Sequence, residues 1–464
     1  MNATQNPQDS QVLEETSSPP TSNPTPPPQE LSFGEGQHAA KILLFSGALL
    51  LAFLVGLLLF LRPAVSESEK RELTPFPEFS VPDLLSGEYF TQITTWYADT
   101  YPGREGLIRT NQFVQSLFGI RTVQIIPSPP PSSNQNPDSP GADPSDPNRP
   151  VDNTPIERLG SVYVKGDTAY ELYGESRSNS ERYAGLISYA AKDLEGIAKV
   201  YGMIVPLSSS VNLSESELKK VGASDAKAAI DRMYGQMEGV TPVEVLDTLR
   251  AHNSEYLYFR TDHHWTALGA YYSYTEFCAE AGLTPIPLQE RQEYRFEGFL
   301  GTLYDDAGRP PKLGNTPDTV YAWVPGGTND IRITDKSGTT LLYRGGVVRT
   351  DTDSFYANAA SKYNCFIMGD HPLSVIHNEK ITDGSSIAVV KESFGNALVP
   401  FLVDHYEYVY VIDYRYFKSA TGQTLKEFVA EKQIPTVLFI NNLTATSATP
   451  RLDEMQGMLG MPNQ

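Results

Sequence analysis

An uncharged run of twenty residues, Ile42 to Leu61, constrains this chain more than any other feature. At a rise of about 1.5 Å per residue, a helix of that length matches a hydrocarbon core of about 30 Å. The run is apolar on every side, whereas a helix in the core of a soluble domain usually carries one polar face. It is also longer than the apolar region of a typical signal peptide, and Arg62 and Pro63 follow it. We therefore expect a single transmembrane helix over residues 41–62.

Composition divides the rest of the chain into four further segments. Residues 1–40 contain five acidic residues, no lysine or arginine and a proline-rich cluster, so we expect a disordered tail. Residues 63–126 carry helical patterns and are expected to form a juxtamembrane segment that packs on the next domain. Residues 127–155 contain ten prolines among Ser, Asn and Asp, which indicates a linker or a long loop. Residues 156–464 have the composition of a folded domain.

Charge and cysteine content exclude several classes of protein. The chain of 464 residues has 36 Lys plus Arg against 56 Asp plus Glu, a formal net charge of −20. Such a field repels phosphate backbones, so nucleic acid is excluded as a principal partner. Two cysteines, Cys278 and Cys365, are too few for a disulfide-dense scaffold or a multi-cysteine zinc site. They leave open one disulfide or two free core thiols.

Apolar strand patterns alternate with helical patterns in the folded domain. This alternation is typical of a parallel sheet covered by helices on both faces, which predicts an α/β fold. Hairpin patterns between about 290 and 350, with a turn near Gly338, predict a small β-rich insertion. The predicted strands are 201–206, 256–259, 386–391, 408–413 and 436–441, and the predicted helices are 180–200, 266–281, 395–406 and 424–432.

Two predicted strands end in residues that can perform nucleophilic chemistry. Asp262, His263, His264 and Trp265 follow one strand, and Ser393 follows another. Parallel strands place their carboxyl ends at one edge of the sheet, where ligands bind. A serine on a strand-to-helix turn presents its hydroxyl near free backbone N–H groups that can stabilise an oxyanion. A histidine oriented by an aspartate supplies the base, so a Ser-His-Asp triad is one hypothesis.

Other interpretations of the same residues remain open. Ser393 or Asp262 can be an ordinary helix cap. A metal site could use Asp262, His263 and His264 with His371 or His377, although adjacent residues on a turn usually point apart and no recognised ligand spacing surrounds them. Arg415 follows a strand and either binds a substrate carboxylate or fixes the end of the sheet through paired hydrogen bonds.

The segment YFRTDHHWTALGAYYSY resembles the signature of the DHHW family of bacterial surface proteins. That family is similar in turn to the AlgJ and AlgX alginate O-acetylation proteins. Further segments of the chain carry the resemblance in the same order, among them GSVYVKGDTAYE, FLGTLY, IMGDHPLSVI, KESFGNALVPFL and VIDYRYF.

The resemblance implies an SGNH-hydrolase-like fold and assigns roles to individual residues. It implies that Ser393 is the nucleophile, His264 the base and Asp262 the residue that orients the base. His263 is then structural or substrate-facing. Other candidates for oxyanion or substrate contacts are Gly369, Asn396, Trp265 and Arg415. Relatives often have Asp where this chain has Glu392, which changes the local capping geometry more than the mechanism.

The resemblance also implies a function and partners. We expect an acyl transferase or esterase, most simply for acetyl groups, that acts on hydroxyls of a cell-envelope polysaccharide without a dissociable cofactor or a metal. A membrane-bound O-acyltransferase is the expected acyl donor. The resemblance implies a cytoplasmic N-terminus and an exocytoplasmic C-terminal domain, although three basic residues after the apolar run and one before it favour the opposite orientation. The alternative function is a non-catalytic glycan-binding or assembly component whose aromatic residues stack on sugar rings.

Overall fold

The computed structural model describes residues 154–351 and 359–461 without a break, and shorter stretches before them, the longest of which is 88–103. The chain forms two compact units, Met1–Ile108 and Arg109–Gln464. The predicted tail, most of the predicted transmembrane helix and most of the predicted linker lie outside the described residues. Within the described residues, no helix has both the length and the apolar composition needed to cross a bilayer.

Among the described residues of the first unit, helix α1 covers Glu88–Asp99. Two residues after α1, the chain reaches Tyr101, and Arg62 approaches this end of the helix. The Arg62 guanidinium lies over the Trp96 ring, 3.9 Å from its centroid, and Nη1 donates to Thr100 Oγ1 at 2.5 Å. A cation over an indole face and a hydrogen bond together hold Arg62 on the helix terminus.

The second unit alternates strands and helices. Its helices are α2 (Arg177–Asp193), α3 (Ser208–Asn212), α4 (Glu215–Val221), α5 (Ala226–Gln236), α6 (Leu246–Ala251), α7 (Ala267–Ala281), α8 (Thr302–Asp306), α9 (Pro311–Gly314), α10 (Val399–Leu402), α11 (Phe417–Thr421), α12 (Leu425–Lys432) and α13 (Thr449–Leu459). Short 3-10 helices cover Leu288–Glu290, Ala359–Cys365, Ser393–Ala397 and Ala445–Ser447.

The strands of the chain are β1 (Val65–Ser66), β2 (Arg71–Glu72), β3 (Gln124–Ile126), β4 (Ala142–Asp143), β5 (Asp146–Pro150), β6 (Ile156–Leu159), β7 (Val162–Lys165), β8 (Thr168–Tyr170), β9 (Lys199–Val205), β10 (Val240–Val243), β11 (Gln292–Phe299), β12 (Asp318–Val324), β13 (Ile331–Thr334), β14 (Thr340–Tyr343), β15 (Leu373–His377), β16 (Ser386–Lys391), β17 (Tyr408–Asp413) and β18 (Thr436–Asn442).

The central sheet has eight strands in the order β10-β9-β18-β16-β17-β15-β13-β14. Its first five strands are mutually parallel, as the α/β pattern predicts. The expectation of a parallel sheet is corrected at the other edge, where β15, β13 and β14 pair in antiparallel fashion. Antiparallel neighbours need only a short turn, whereas parallel neighbours need a crossover. The β13–β14 turn contains Gly338 at φ 81°, a conformation that favours glycine.

The predicted β-rich insertion divides between two sheets. Strands β11 and β12 pair only with each other and form a separate antiparallel ribbon. The hairpin β13–β14 instead extends the central sheet. The insertion is therefore partly a continuation of the main sheet, because β13 has a pairing partner in β15 that lies much later in the chain.

The core of the unit is built on the parallel strands. All six residues of β16 are buried, as expected for a strand with helices over both faces. Helix α2 contributes an apolar stripe, including Tyr183, Leu186, Ile187 and Ala190, to the same cluster. A smaller four-stranded sheet, β3-β6-β7-β8, packs Val162 and Val164 against leucines of α8 and α9 in a separate cluster.

Three predicted elements differ in the structure. The predicted helix 180–200 ends at Asp193, and residues 199–200 belong to β9. Residues 256–259 form only an isolated bridge, Tyr258 to Trp265, and no strand. The predicted helix 395–406 is a 3-10 helix followed by the single turn α10. Pro400 accounts for part of this interruption, because it cannot donate an intrahelical hydrogen bond. Helix α7 matches its predicted range, with Thr266 as N-cap and Gly282 at φ 71° as its end.

Candidate functional site

The serine turn, defined as residues 392–396, continues directly from the buried strand β16. Glu392 caps the turn because its Oε2 accepts from Phe394 N at 3.1 Å and its Oε1 accepts from Asn442 N at 2.9 Å. The second bond ties the turn to the end of the neighbouring strand β18. Burial raises the pKa of the Glu392 carboxyl, against the effect of these two backbone hydrogen bonds. Ser393 begins the 3-10 helix and is only partly buried.

The histidine loop, defined as residues 260–265, lies against the serine turn. Nε2 of His264 is 2.8 Å from Ser393 Oγ, and Nδ1 of His264 is 2.6 Å from Asp262 Oδ1. The structure therefore brings together the three residues predicted as nucleophile, base and orienting acid. One hydrogen-bonded chain runs from hydroxyl to imidazole to carboxylate, which is the arrangement that nucleophilic catalysis by serine requires.

Asp262 is held from two sides. Its Oδ1 accepts from His264 N at 3.0 Å, and its Oδ2 accepts from Thr302 N at 2.9 Å. Burial opposes ionisation, but the imidazoles of His264 and His263 and these hydrogen bonds hold the pKa of the carboxyl well below its ordinary value. The approach of Thr302 needs Gly301, because a Cβ there would lie 2.2 Å from Asp262 Oδ2.

His263 and Trp265 have different surroundings. Nδ1 of His263 lies 2.6 Å from Thr302 Oγ1, and the ring is next to that of His264. Burial lowers the pKa of His263, and the neighbouring His264 lowers it further. Trp265 is fully buried and donates from Nε1 to Phe394 O at 2.9 Å. Trp265 therefore joins the histidine loop to the serine turn from within the core.

A cavity of about 560 Å³ opens above Ser393. Its floor contains His263, Glu392, Ser393 and Arg415, and it lies at the carboxyl ends of three adjacent parallel strands, β16, β17 and β18. Glu171 and Arg451 also line the cavity. This position is the one where open parallel sheets bind ligands.

Arg415 is part of a buried charge network at the cavity floor. Its Nη2 is 2.5 Å from Asp413 Oδ2 and 2.7 Å from Asp370 Oδ2. Burial opposes the charge, yet these two carboxylates raise the pKa of the Arg415 guanidinium above its ordinary value. Nζ of the fully buried Lys391 lies 2.8 Å from Asp370 Oδ1 and 3.4 Å from Asp413 Oδ2. Paired hydrogen bonds thus fix Arg415 at the end of the sheet, with its side chain on the cavity.

The two candidates for oxyanion contacts, Gly369 and Asn396, donate hydrogen bonds within the protein. Gly369 N–H donates to Phe366 O at 3.0 Å, and Asn396 Nδ2 donates to Asp370 Oδ1 at 3.0 Å. Neither residue lines the cavity. Asn396 is almost fully buried and links the serine turn to the charge network.

A metal interpretation has three neighbouring donors. Asp262, His263 and His264 offer ligand atoms within 4.8 Å of one another, without His371 or His377. Both ring nitrogens of His264 lie at hydrogen-bond distance from Asp262 and Ser393, so a metal would have to replace one of these contacts. The two cysteines are both free and buried, which settles the question of a disulfide between them.

Two residues of the site were not predicted from the sequence. Thr302 lies in the segment FLGTLY, which resembles the family but offered no role by itself. Tyr363 donates its hydroxyl to Ser393 O at 3.0 Å, and its ring stacks on His264. No motif marks a tyrosine thirty residues before the serine, so only the fold could reveal it.

Comparison with protein families decides the classification. The sequence model of the DHHW protein family matches residues 69–129 and 130–412, well over half of the chain. The chain belongs to the DHHW family. This confirms the resemblance that the DHHW motif predicts. No curated protein matches the chain at a significant level.

The solved structures similar to this chain include a member of the same family. A crystal structure of a DHHW family protein from Eubacterium siraeum is 25% identical, with a TM-score of 0.54 over 67% of this chain and 96% of its own. PatB1 from Bacillus cereus, solved with a sulfonyl adduct, is 16% identical, with a TM-score of 0.51 over 62% and 97%. It shares the fold. The O-acetyltransferase domain of Pseudomonas putida AlgJ is 13% identical over 65% and 99%, and its TM-score of 0.38 is too low to support an argument.

Proposed function

We propose that this DHHW protein is an SGNH-hydrolase-like acyltransferase or esterase that uses Ser393 as nucleophile. The observation that carries the proposal is the hydrogen-bonded chain from Asp262 through His264 to Ser393 Oγ. Ser393, at one end of this chain, lines a cavity at the carboxyl edge of the sheet. A serine that only caps a helix needs no histidine at 2.8 Å. A histidine that only fills the core does not need a hydrogen bond to a serine that lines a cavity.

The geometry gives each residue a step. Ser393 Oγ attacks the carbonyl carbon of an acyl donor while its proton passes to His264 Nε2. Asp262 holds the Nδ1 proton and stabilises the imidazolium that forms. The tetrahedral intermediate collapses, the donor's leaving oxygen takes the proton from His264, and an acyl-Ser393 ester remains. A second hydroxyl then gives its proton to His264 and attacks this ester, which regenerates Ser393. Water as the second nucleophile makes the protein an esterase, and a sugar hydroxyl makes it a transferase.

The proposed acyl group is acetyl and the proposed acceptor is a cell-envelope polysaccharide, following the sequence resemblance to alginate O-acetylation proteins. The proposal includes a membrane anchor at 41–62, a cytoplasmic N-terminus and a membrane-bound O-acyltransferase as donor. A phosphatase active only outside the cytoplasm, fused after Gln464, tests the orientation. Phosphatase activity in intact cells is expected, and activity of a cytoplasm-only reporter at the same position would contradict it.

Acetylation of Ser393 tests the central proposal directly. The full chain, purified in detergent, is incubated with p-nitrophenyl acetate, and its intact mass and the released acetate are followed. We expect one acetyl group on the wild type and none on Ser393→Ala, with a fall in turnover of about 10⁴-fold or more. The exposed Ser419 supplies a matched control, and Ser419→Ala should behave as wild type. Equal acetylation of Ser393→Ala, or no adduct on the folded wild type, would favour a non-catalytic glycan-binding role.

A further inference from the structure

Tyr363 touches both halves of the site. It lies on the 3-10 helix Ala359–Cys365 and is 5% exposed. Its hydroxyl donates to Ser393 O at 3.0 Å. Its ring stacks on the imidazole of His264, with 4.0 Å between centroids and 14° between planes. One side chain therefore contacts the backbone of the serine and the face of the histidine.

We propose that Tyr363 is a positioning residue that fixes His264 and Ser393 relative to each other. This rests on the proposed function. A ring parallel to the imidazole at van der Waals distance restricts tilting of His264, so Nε2 stays directed at Ser393 Oγ. The hydrogen bond to the carbonyl of Ser393 holds the backbone that carries the hydroxyl. When His264 accepts the proton, the π face of Tyr363 also stabilises the imidazolium.

The backbone after Tyr363 supports this assignment. Ile367, Met368 and Gly369 have φ values of 47°, 61° and 93°, three consecutive left-handed residues. A β-branched residue at positive φ is rare, and such a conformation persists only where the surroundings enforce it. The next residue, Asp370, bonds Asn396 of the serine turn. The segment 363–370 thus holds the turn at both of its ends.

The other polar groups at His264 cannot replace Tyr363. Asp262 and His263 approach from the same loop, and Ser393 and Glu392 belong to the serine turn. Asp262 and Ser393 bind the edge of the imidazole through its nitrogens, whereas Tyr363 covers a face. Phe394 is near His264 but is tilted by 47° and has no hydrogen-bonding group.

Two substitutions separate the two contacts of Tyr363. Tyr363→Phe keeps the ring and removes the hydrogen bond to Ser393 O, and we expect the rate of Ser393 acetylation to fall about 3- to 10-fold. Tyr363→Leu removes both contacts, and we expect a loss of about 10²-fold, because small misplacements of reacting groups have effects of that size.

Tyr234 provides a matched control, because its hydroxyl donates to a backbone carbonyl, Val243 O, at 2.9 Å. Tyr234→Phe should acetylate Ser393 at the wild-type rate. Circular dichroism and thermal melting establish that each variant is folded. Folded Tyr363 variants with wild-type rates would overturn the proposal, as would an equal loss in Tyr234→Phe.

A readout without turnover separates this proposal from the proposed function. The proton between His264 Nδ1 and Asp262 should give a low-field NMR signal that Asp262→Asn abolishes, because the two atoms are 2.6 Å apart. We expect the signal in wild type and Tyr363→Phe, and a broadened or lost signal in Tyr363→Leu. If wild type gives the signal but no acetyl adduct, the proposed function fails and the positioning role is still tested. An unchanged NMR signal in folded Tyr363→Leu would overturn the positioning role of Tyr363.

Discussion

The histidine loop and the serine turn deliver their side chains to one site from different structural contexts. The serine turn extends a fully buried parallel strand, and charges beneath it, including Lys391, are buried with it. The histidine loop belongs to no helix or strand. The buried carboxylate of Asp318 holds its start by accepting from Arg260 N at 3.0 Å and Thr261 N at 2.8 Å.

The difference shows where each half of the site gets its precision. Sheet packing positions Ser393, because parallel strands covered on both faces have little freedom to shift. Polar side chains and backbone groups of the insertion, Thr302 and Asp318, position Asp262 and His264. The histidine loop should therefore respond to the loss of single hydrogen bonds, and the serine turn to the loss of buried charge.

The largest expected effect follows from Asp262→Asn in the histidine loop. The variant should lower the rate of Ser393 acetylation by about 10⁴-fold, because the amide cannot orient and stabilise the imidazolium. The pKa of Asp262 is lowered by folding, so its carboxylate stabilises the fold above the unfolded pKa of about 3.9 and this contribution is lost as pH falls. The thermal midpoint of Asp262→Asn should therefore lie furthest below wild type at neutral pH.

Glu392→Gln is the matched comparison in the serine turn. Folding raises the pKa of the Glu392 carboxyl. The contribution of Glu392 to stability is therefore present below the unfolded pKa of about 4.3 and is lost as pH rises through the folded value. The thermal midpoint of Glu392→Gln should lie furthest below wild type in acid. Parallel pH dependences for the two variants would contradict the contrast between these carboxylates.

The next largest effect is expected for Lys391→Met beneath the serine turn. Its removal leaves Asp370 and Asp413 to share Arg415 in the buried network, which should lower the free energy of unfolding by about 3–5 kcal/mol. The half-exposed Lys426, paired with Asp193 at 2.8 Å, is the control. Lys426→Met should cost less than about 1 kcal/mol. Denaturant unfolding compares them, and equal losses would mean that the buried network adds nothing.

The smallest effect is expected for Thr302→Val, at the start of α8 where Thr302 contacts the histidine loop. The variant keeps the backbone N–H that binds Asp262 but removes the hydroxyl that lies 2.6 Å from His263 Nδ1. We expect a several-fold lower rate of acetylation and a loss of about 1 kcal/mol in stability. Thr302→Ser keeps the hydroxyl and should retain the wild-type rate. A wild-type rate in Thr302→Val would show that the backbone contact alone positions Asp262.

Much of the fold could be predicted from local patterns. The strands 386–391 and 408–413 coincide with β16 and β17, because strands buried on both faces are continuous apolar runs. The predicted strand 256–259 was wrong, although its residues have strand-like composition. Its backbone pairs only once, with Trp265, because the histidine loop turns back immediately. The pattern predicted a β-rich insertion but not the pairing of β13 with β15, because that pairing depends on residues distant in the sequence.

The site, like the fold, could be predicted only in part. Two short motifs marked Asp262, His264 and Ser393 as candidates, and the structure brings their side chains together. Their catalytic roles stay a prediction until Ser393→Ala is tested. Gly369 and Asn396 stay candidates for oxyanion contacts, and in the structure they donate to Phe366 O and to Asp370 Oδ1. Which N–H groups face a cavity depends on backbone direction, and residue identity alone does not specify it.

The sequence by itself determined the apolar run at 42–61, the alternation of strands and helices, the membership of the DHHW family and the identity of the candidate triad. These features follow from composition, periodicity and short motifs, each of which can be recognised within a short stretch of sequence. Tertiary structure alone decided the mixed order of the central sheet, the contact of Thr302 with Asp262 and the stacking of Tyr363 on His264. These features depend on residues that are distant in the sequence, and such contacts form only when the whole domain packs.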